Sequence, residues 1–73
     1  MEDLNYLERG TLSGIRDGYS IEDIFKIYKD NPEIDKNRIE KARDSLLENC
    51  YIEKAPGGYR LTNKGEKRLR SNF

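Results

Sequence analysis

Residues Leu46 to Leu69 read LLENCYIEKAPGGYRLTNKGEKRL, and this stretch decides the fold. Leu46 and Leu47 end a helix, and Tyr51 to Lys54 then form a short strand. Pro56-Gly57 fits the two central positions of a type II turn, where the second residue needs a positive φ that glycine accepts. Tyr59-Arg60-Leu61 returns as a second strand, with Tyr59 and Leu61 on one face and Arg60 on the other. Thr62 caps a last helix, about 63–70, in which Leu69 is the inward anchor. The sequence predicts Asn49 as the left-handed residue that stops the preceding helix. Cys50 continues the apolar stripe Ile39, Ala42, Leu46 and is expected half-buried in the core.

Upstream, three helices are predicted. Asp35 caps the third, Lys36 to Asn49, whose apolar residues recur at three- and four-residue steps. Ser20 caps the second, with Asp23 as the acid of a capping box and Tyr19 and Ile24 in staple positions. That helix should end by Asn31, because Pro32 disfavours helical geometry in the residue before it. The first covers about 3–16, with Leu4, Leu7, Leu12 and Ile15 near helical spacing. Gly10 and Gly14 each cost it about 1 kcal/mol relative to alanine. They signal either a break near Gly10 or a close helix–helix contact, dimerisation included. The result is one domain, 1–73, of mainly α class with a small β-hairpin (α+β), in the order α-α-α-β-β-α. A minimal extra strand at Tyr19-Ser20 is a further option.

Seventy-three residues, 34% hydrophobic, give a thin core that would gain from a partner, metal or disulfide. One cysteine and no histidine leave no internal disulfide and poor metal-ligand supply, in keeping with a reducing compartment. No apolar run approaches the roughly 20 residues of a membrane span. The acidic, amphipathic N-terminus is not a signal peptide, so a cytoplasmic location is expected. The net charge of zero conceals a polarity. Residues 1–34 carry four basic against eight acidic side chains, −4, and residues 35–73 ten against six, +4.

The chain from about Ser20 to Leu69 resembles the winged helix-turn-helix superfamily, in particular small archaeal and bacterial regulators of the MarR, PadR and ArsR type. SIEDIFKIY is similar to the first helix of the helix-turn-helix, 20–49. IDKNRIEKARDSLLENCYIEK is similar to the recognition helix running into the wing, 51–61. YRLTNKGEKRL matches a Tyr-x-Leu-Thr-x-x-Gly pattern at the passage from wing to last helix. The resemblance implies binding of double-stranded DNA, commonly as a homodimer, with the third helix in the major groove and the wing beside the phosphates. Two features depart from the pattern. The connection from Tyr28 to Asp35 is longer than the usual tight turn, and Cys50 stands where many relatives have glycine.

On the outward face of the third helix, the first two turns display Asn37, Arg38 and Lys41, with Lys36 and Glu40 flanking. Asparagine pairs with adenine, Arg or Lys with guanine, and Glu accepts from cytosine. The same composition also suits an ordinary solvated helix. Asp44 and Glu48 farther along would repel phosphate. Arg43 lies beside the core stripe and is expected to run along its edge toward an acid on the first or second helix. On the wing, Lys54 and Arg60 point to solvent as candidate phosphate contacts, while the tip 55–58 is uncharged. Lys64, Lys67, Arg68 and Arg70 form a basic cluster that serves either phosphate or the helix dipole. Tyr51 and Tyr59 are expected to pair across the wing or pack beneath it, and the tyrosines together offer an aromatic surface for a partner.

Nothing supports catalysis: there is no histidine base, Cys-His pair, metal cluster or phosphate-cradling glycine loop. No enzyme activity and no cofactor are expected. The first expectation is therefore a sequence-specific DNA-binding transcription regulator with double-stranded DNA as partner. The alternative is a winged-helix protein-interaction module, favoured by neutral charge and a neutral wing tip. Single-strand or RNA binding is weaker, because no row of aromatics lines a basic groove.

Overall fold

Four helices and one hairpin follow in the order α1 (Tyr6–Arg16), α2 (Ile21–Tyr28), α3 (Lys36–Glu48), β1 (Ile52–Ala55), β2 (Gly58–Leu61) and α4 (Asn63–Arg70). A computed structural model of the chain describes residues 4–70. The α-α-α-β-β-α order is the one the sequence predicts. Asp3, placed by the sequence at the start of the first helix, lies outside the described residues, and the helix begins later because Asn5 caps it. The Asn5 side chain accepts from the Glu8 N–H at 2.8 Å while Glu8 Oε1 accepts from the Asn5 N–H at 3.0 Å, a capping box the sequence reading overlooked. Ser20 and Asp23 form the second box as expected.

No break occurs at Gly10, and α1 continues through both glycines. The reason is the packing of α2. A methyl group on Gly10 would overlap the Tyr28 hydroxyl, and one on Gly14 would sit 2.9 Å from Ile24 Cδ1. The Gly-x-x-x-Gly spacing is thus spent on a close helix–helix contact inside the chain. Among the described residues there is no strand at Tyr19-Ser20. Gly18, at φ +90, instead ends α1 with bonds from the Gly18 N–H to the Ile15 carbonyl and from the Tyr19 N–H to the Gly14 carbonyl.

The buried core residues come from all four helices and β1. Leu12 and Ile15 of α1, Ile24 of α2, Ile39, Ala42 and Leu46 of α3, Ile52 of β1 and Leu69 of α4 are all buried, with Leu4 closing one end. Each buried Leu or Ile contributes about 1.5–3 kcal/mol, so this short set carries most of the apolar driving force. Thr11 of α1 is also buried, and its hydroxyl has no hydrogen-bond partner.

The end of α3 corrects two expectations. Asn49 has an ordinary negative φ, and Cys50 takes the left-handed position at φ 63. The Cys50 N–H donates to the Leu47 carbonyl and the Tyr51 N–H to the Leu46 carbonyl, the paired bonds of a Schellman stop. This turn swings Cys50 off the apolar stripe, so it is exposed, not part of the core. From there β1 and β2 pair antiparallel, Ile52 with Leu61, Glu53 with Arg60, Lys54 with Tyr59 and Ala55 with Gly58. Gly57 has φ +83, as the second central position of a type II turn requires. Tyr51 precedes the ladder, so it does not pair with Tyr59; both pack against the core edge.

Thr62 ties the parts together. Its N–H donates to the Tyr51 carbonyl at 3.1 Å and its hydroxyl to the Cys50 carbonyl at 2.5 Å, while the same oxygen accepts from the Gly65 N–H at 3.1 Å. One residue therefore caps α4 and fastens it to the end of α3.

Candidate nucleic-acid interface on helix α3

The burial of Ile39, Ala42 and Leu46 fixes the rotation of α3. Asp35 fixes its start, accepting the Arg38 N–H at 2.8 Å. With inward face and N-terminus set, Lys36, Asn37, Arg38 and Lys41 are exposed and Glu40 is half-buried. The expected group on the first two turns is thus on one helix surface, but its members are not equivalent.

Lys36 is engaged. Its ammonium donates to Glu22 Oε1 of α2 at 2.9 Å, across the helix pair. That hydrogen bond and charge hold the Glu22 carboxyl below its ordinary range and raise Lys36 above its own. Arg38 and Lys41, by contrast, form no ion pair among the described residues. They line one wall of a cleft of about 480 Å³ between α3, the start of α1 and the α2–α3 connection. Leu7, Ile34 and Ala42 give it an apolar lining, and Tyr6 stands at α1. Glu8 and Glu33 also line it, so the positive charge belongs to the α3 wall alone.

The long Tyr28–Asp35 connection builds part of this cleft. Its Asn31 side chain accepts the Glu33 N–H at 3.0 Å and the Asn31 carbonyl accepts the Ile34 N–H at 3.1 Å. These local bonds turn the chain so that Ile34 packs inward.

On the hairpin side Arg43 and Arg60 are paired and Lys54 is in no ion pair among the described residues. Arg43 does not reach an acid on α1 or α2: it lies 5.9 Å from the Tyr59 ring centroid and pairs with its neighbour Asp44 at 2.8 Å. Arg60 is exposed as expected but paired with Glu53, its cross-strand partner. Lys54 is exposed and outside any ion pair among the described residues. In the basic C-terminal cluster, Lys64 has a structural task. Its ammonium donates to the Asn49 carbonyl at 2.8 Å and lies 4.8 Å from the Tyr51 ring centroid, closing the C-terminus of α3.

Tyr6 is one of the tyrosines from which the sequence predicts an aromatic surface, and its place on that surface is specific. It is 72% exposed and meets Tyr28 edge-on, with ring centroids 6.1 Å apart. The signal was present: Tyr6 is nine positions from buried Ile15, half a turn round the helix at 3.6 residues per turn. Among the described residues, Tyr19 and Ile27 are the other large exposed apolar side chains, on the α1–α2 side.

Among the described residues no cluster of His, Cys, Asp or Glu could hold a metal ion, and no helix is long and apolar enough to cross a membrane. Compared with protein-family models, curated proteins and solved structures, the chain finds no match.

Proposed function

We propose that this chain is a winged helix-turn-helix protein of the cytoplasm that binds double-stranded DNA, with the N-terminal half of α3 in the major groove, and that it acts as a transcription regulator. The observation that carries the reading is the surface of α3. Asn37, Arg38 and Lys41 are exposed on its first two turns, and the two cations lie outside any ion pair among the described residues. A buried stripe and an N-cap hold the helix rigidly, and the hairpin follows it directly. An asparagine able to read a base edge, beside two cations able to take a base or a phosphate, on a fixed helix N-terminus is what groove recognition needs. The test is a duplex-DNA titration at two salt concentrations, repeated with Lys41→Ala. Binding that weakens steeply with salt is expected, with a loss of about 1–3 kcal/mol if Lys41 reads a base. No binding at low salt sinks the reading.

One set of observations favours a second reading, a protein-interaction module. Lys36, Arg43 and Arg60 are neutralised by Glu22, Asp44 and Glu53. Ile27 of α2 is 60% exposed and lines a groove with Tyr19 of the α1–α2 connection. This reading expects no salt-dependent duplex binding and a partner whose capture is lost on Ile27→Asp.

A further inference from the structure

We propose that one strand of the duplex backbone runs along the cleft between α1 and α3, with Arg38 and Lys41 on its phosphates and the Tyr6 hydroxyl donating to a phosphate oxygen, so that the contact flanking the recognition helix is made on its α1 side. The inference rests on the DNA-docking reading and deepens it. Its basis is the way charge sorts on the two sides of α3. Away from the cleft, Lys54 of the hairpin is outside any ion pair among the described residues, but Lys36, Arg43 and Arg60 each carry an acid partner. A phosphate arriving there must compete with a carboxylate already in place. Toward α1, Arg38 and Lys41 are three residues apart on one helix face and neither is in an ion pair among the described residues, although Glu8 and Glu33 line the same cleft.

The shape agrees with the charge. A cleft of about 480 Å³ admits a phosphate-bearing segment, since ligand pockets span about 300–1,000 Å³. Tyr6 is exposed on the wall facing the cations, and a phenolic O–H is among the groups that position a protein on a backbone. Glu8 and Glu33 on that far side keep a phosphate against α3. Glu8 is further held by the Asn5 N–H. Phosphate contacts carry no sequence information. Arg38 and Lys41 therefore set register, and base reading falls to Asn37, exposed one position round the helix and outside the cleft.

The experiment measures the salt dependence of binding to an A·T-rich and a G·C-rich 20-base-pair duplex. The wild type is compared with Arg38→Ala, Lys41→Ala, Tyr6→Phe and Lys54→Ala, each checked for native helicity. Arg38→Ala and Lys41→Ala are expected to lower the slope of log affinity against log salt by about one each, equally on both duplexes. Tyr6→Phe, which keeps the ring against Tyr28, is expected to lose about threefold or more on both. Wild-type affinity in Tyr6→Phe, or an unchanged slope in Arg38→Ala and Lys41→Ala, overturns the proposal. A slope lowered by Lys54→Ala instead moves the contact to the hairpin and overturns it too. Failure of the wild type to bind either duplex is a different result, since it removes the DNA reading itself.

Discussion

Gly65 of α4 faces the carbonyl oxygen of Tyr51 so closely that a methyl group has no room between them. The contact explains why the Leu-Thr-x-x-Gly sequence is spaced as it is. Thr62 bonds the Cys50 carbonyl and the Tyr51 carbonyl, which draws the first turn of α4 onto the chain leaving α3. Three residues later the helix returns to the same carbonyl, and only a residue without a Cβ fits.

Gly65→Ala therefore sets two effects against each other. Alanine gains about 1 kcal/mol of helix propensity, but the obstructing atom is backbone and cannot rotate away. Overpacking of this kind costs about 1–3 kcal/mol, and more where nothing yields. A net loss of about 2 kcal/mol is expected in urea unfolding. Equal or higher stability would show that α4 can shift away from Tyr51.

Cys50 carries a backbone cost that a single change removes. A side chain in the left-handed region costs about 1–2 kcal/mol, and glycine gives back about 0.5–1 kcal/mol through its freer unfolded chain. Cys50→Gly is expected to raise stability by about 0.5–1 kcal/mol. Cys50→Ala, which keeps a Cβ at φ 63, should gain nothing comparable. Parallel denaturant curves for the two variants decide it.

Thr11 offers a second gain. Its hydroxyl is fully buried without a partner, while its shape matches valine. Removing an unpaired buried polar group is worth about 1–3 kcal/mol. Thr11→Val is expected to raise the urea midpoint without changing the slope of the transition.

Gly10 and Tyr28 should be coupled. The atom filling the space of a Gly10 side chain is the Tyr28 hydroxyl, the far end of a side chain that can be trimmed. Gly10→Ala alone is expected to destabilise, and the double change Gly10→Ala with Tyr28→Phe to recover at least the loss. The interaction energy in the double-mutant cycle should reach about 0.5–3 kcal/mol. Additivity would mean the hydroxyl moves freely.

The Glu22–Lys36 pair predicts how the α2–α3 tie responds to pH. Glu22 is depressed below its ordinary 4.5 by the Lys36 hydrogen bond, so what the pair contributes is present above that pH and lost as pH falls through the lowered value. Lys36 is raised above 10.5 by the same bond, so the contribution is complete below 10.5 and lost as pH rises through the higher value. Both groups are well exposed, so the effect on stability is small. Carboxyl NMR titration checks it: Lys36→Ala should return Glu22 to its ordinary range, and an unmoved Glu22 titration would rule the pair out in solution.

The sequence by itself determined the elements and their order. Asp35, Ser20 and Thr62 announce helix starts because a side-chain oxygen next to free N–H groups is a local event. Pro56-Gly57 announces a turn for an equally local reason, and the periodic stripes of α1 and α3 name the core. Only the tertiary structure decided which charges remain available. Lys36 and Lys41 look alike in the sequence, yet one meets Glu22, fourteen positions earlier, and the other forms no ion pair among the described residues. The left-handed geometry of Cys50, the use of Gly10 and Gly14 for the α1–α2 contact, and the cleft beside Tyr6 are of the same kind. Each depends on atoms distant in the chain and brought within a few ångströms by the common core, a relation that local propensity and periodicity do not encode.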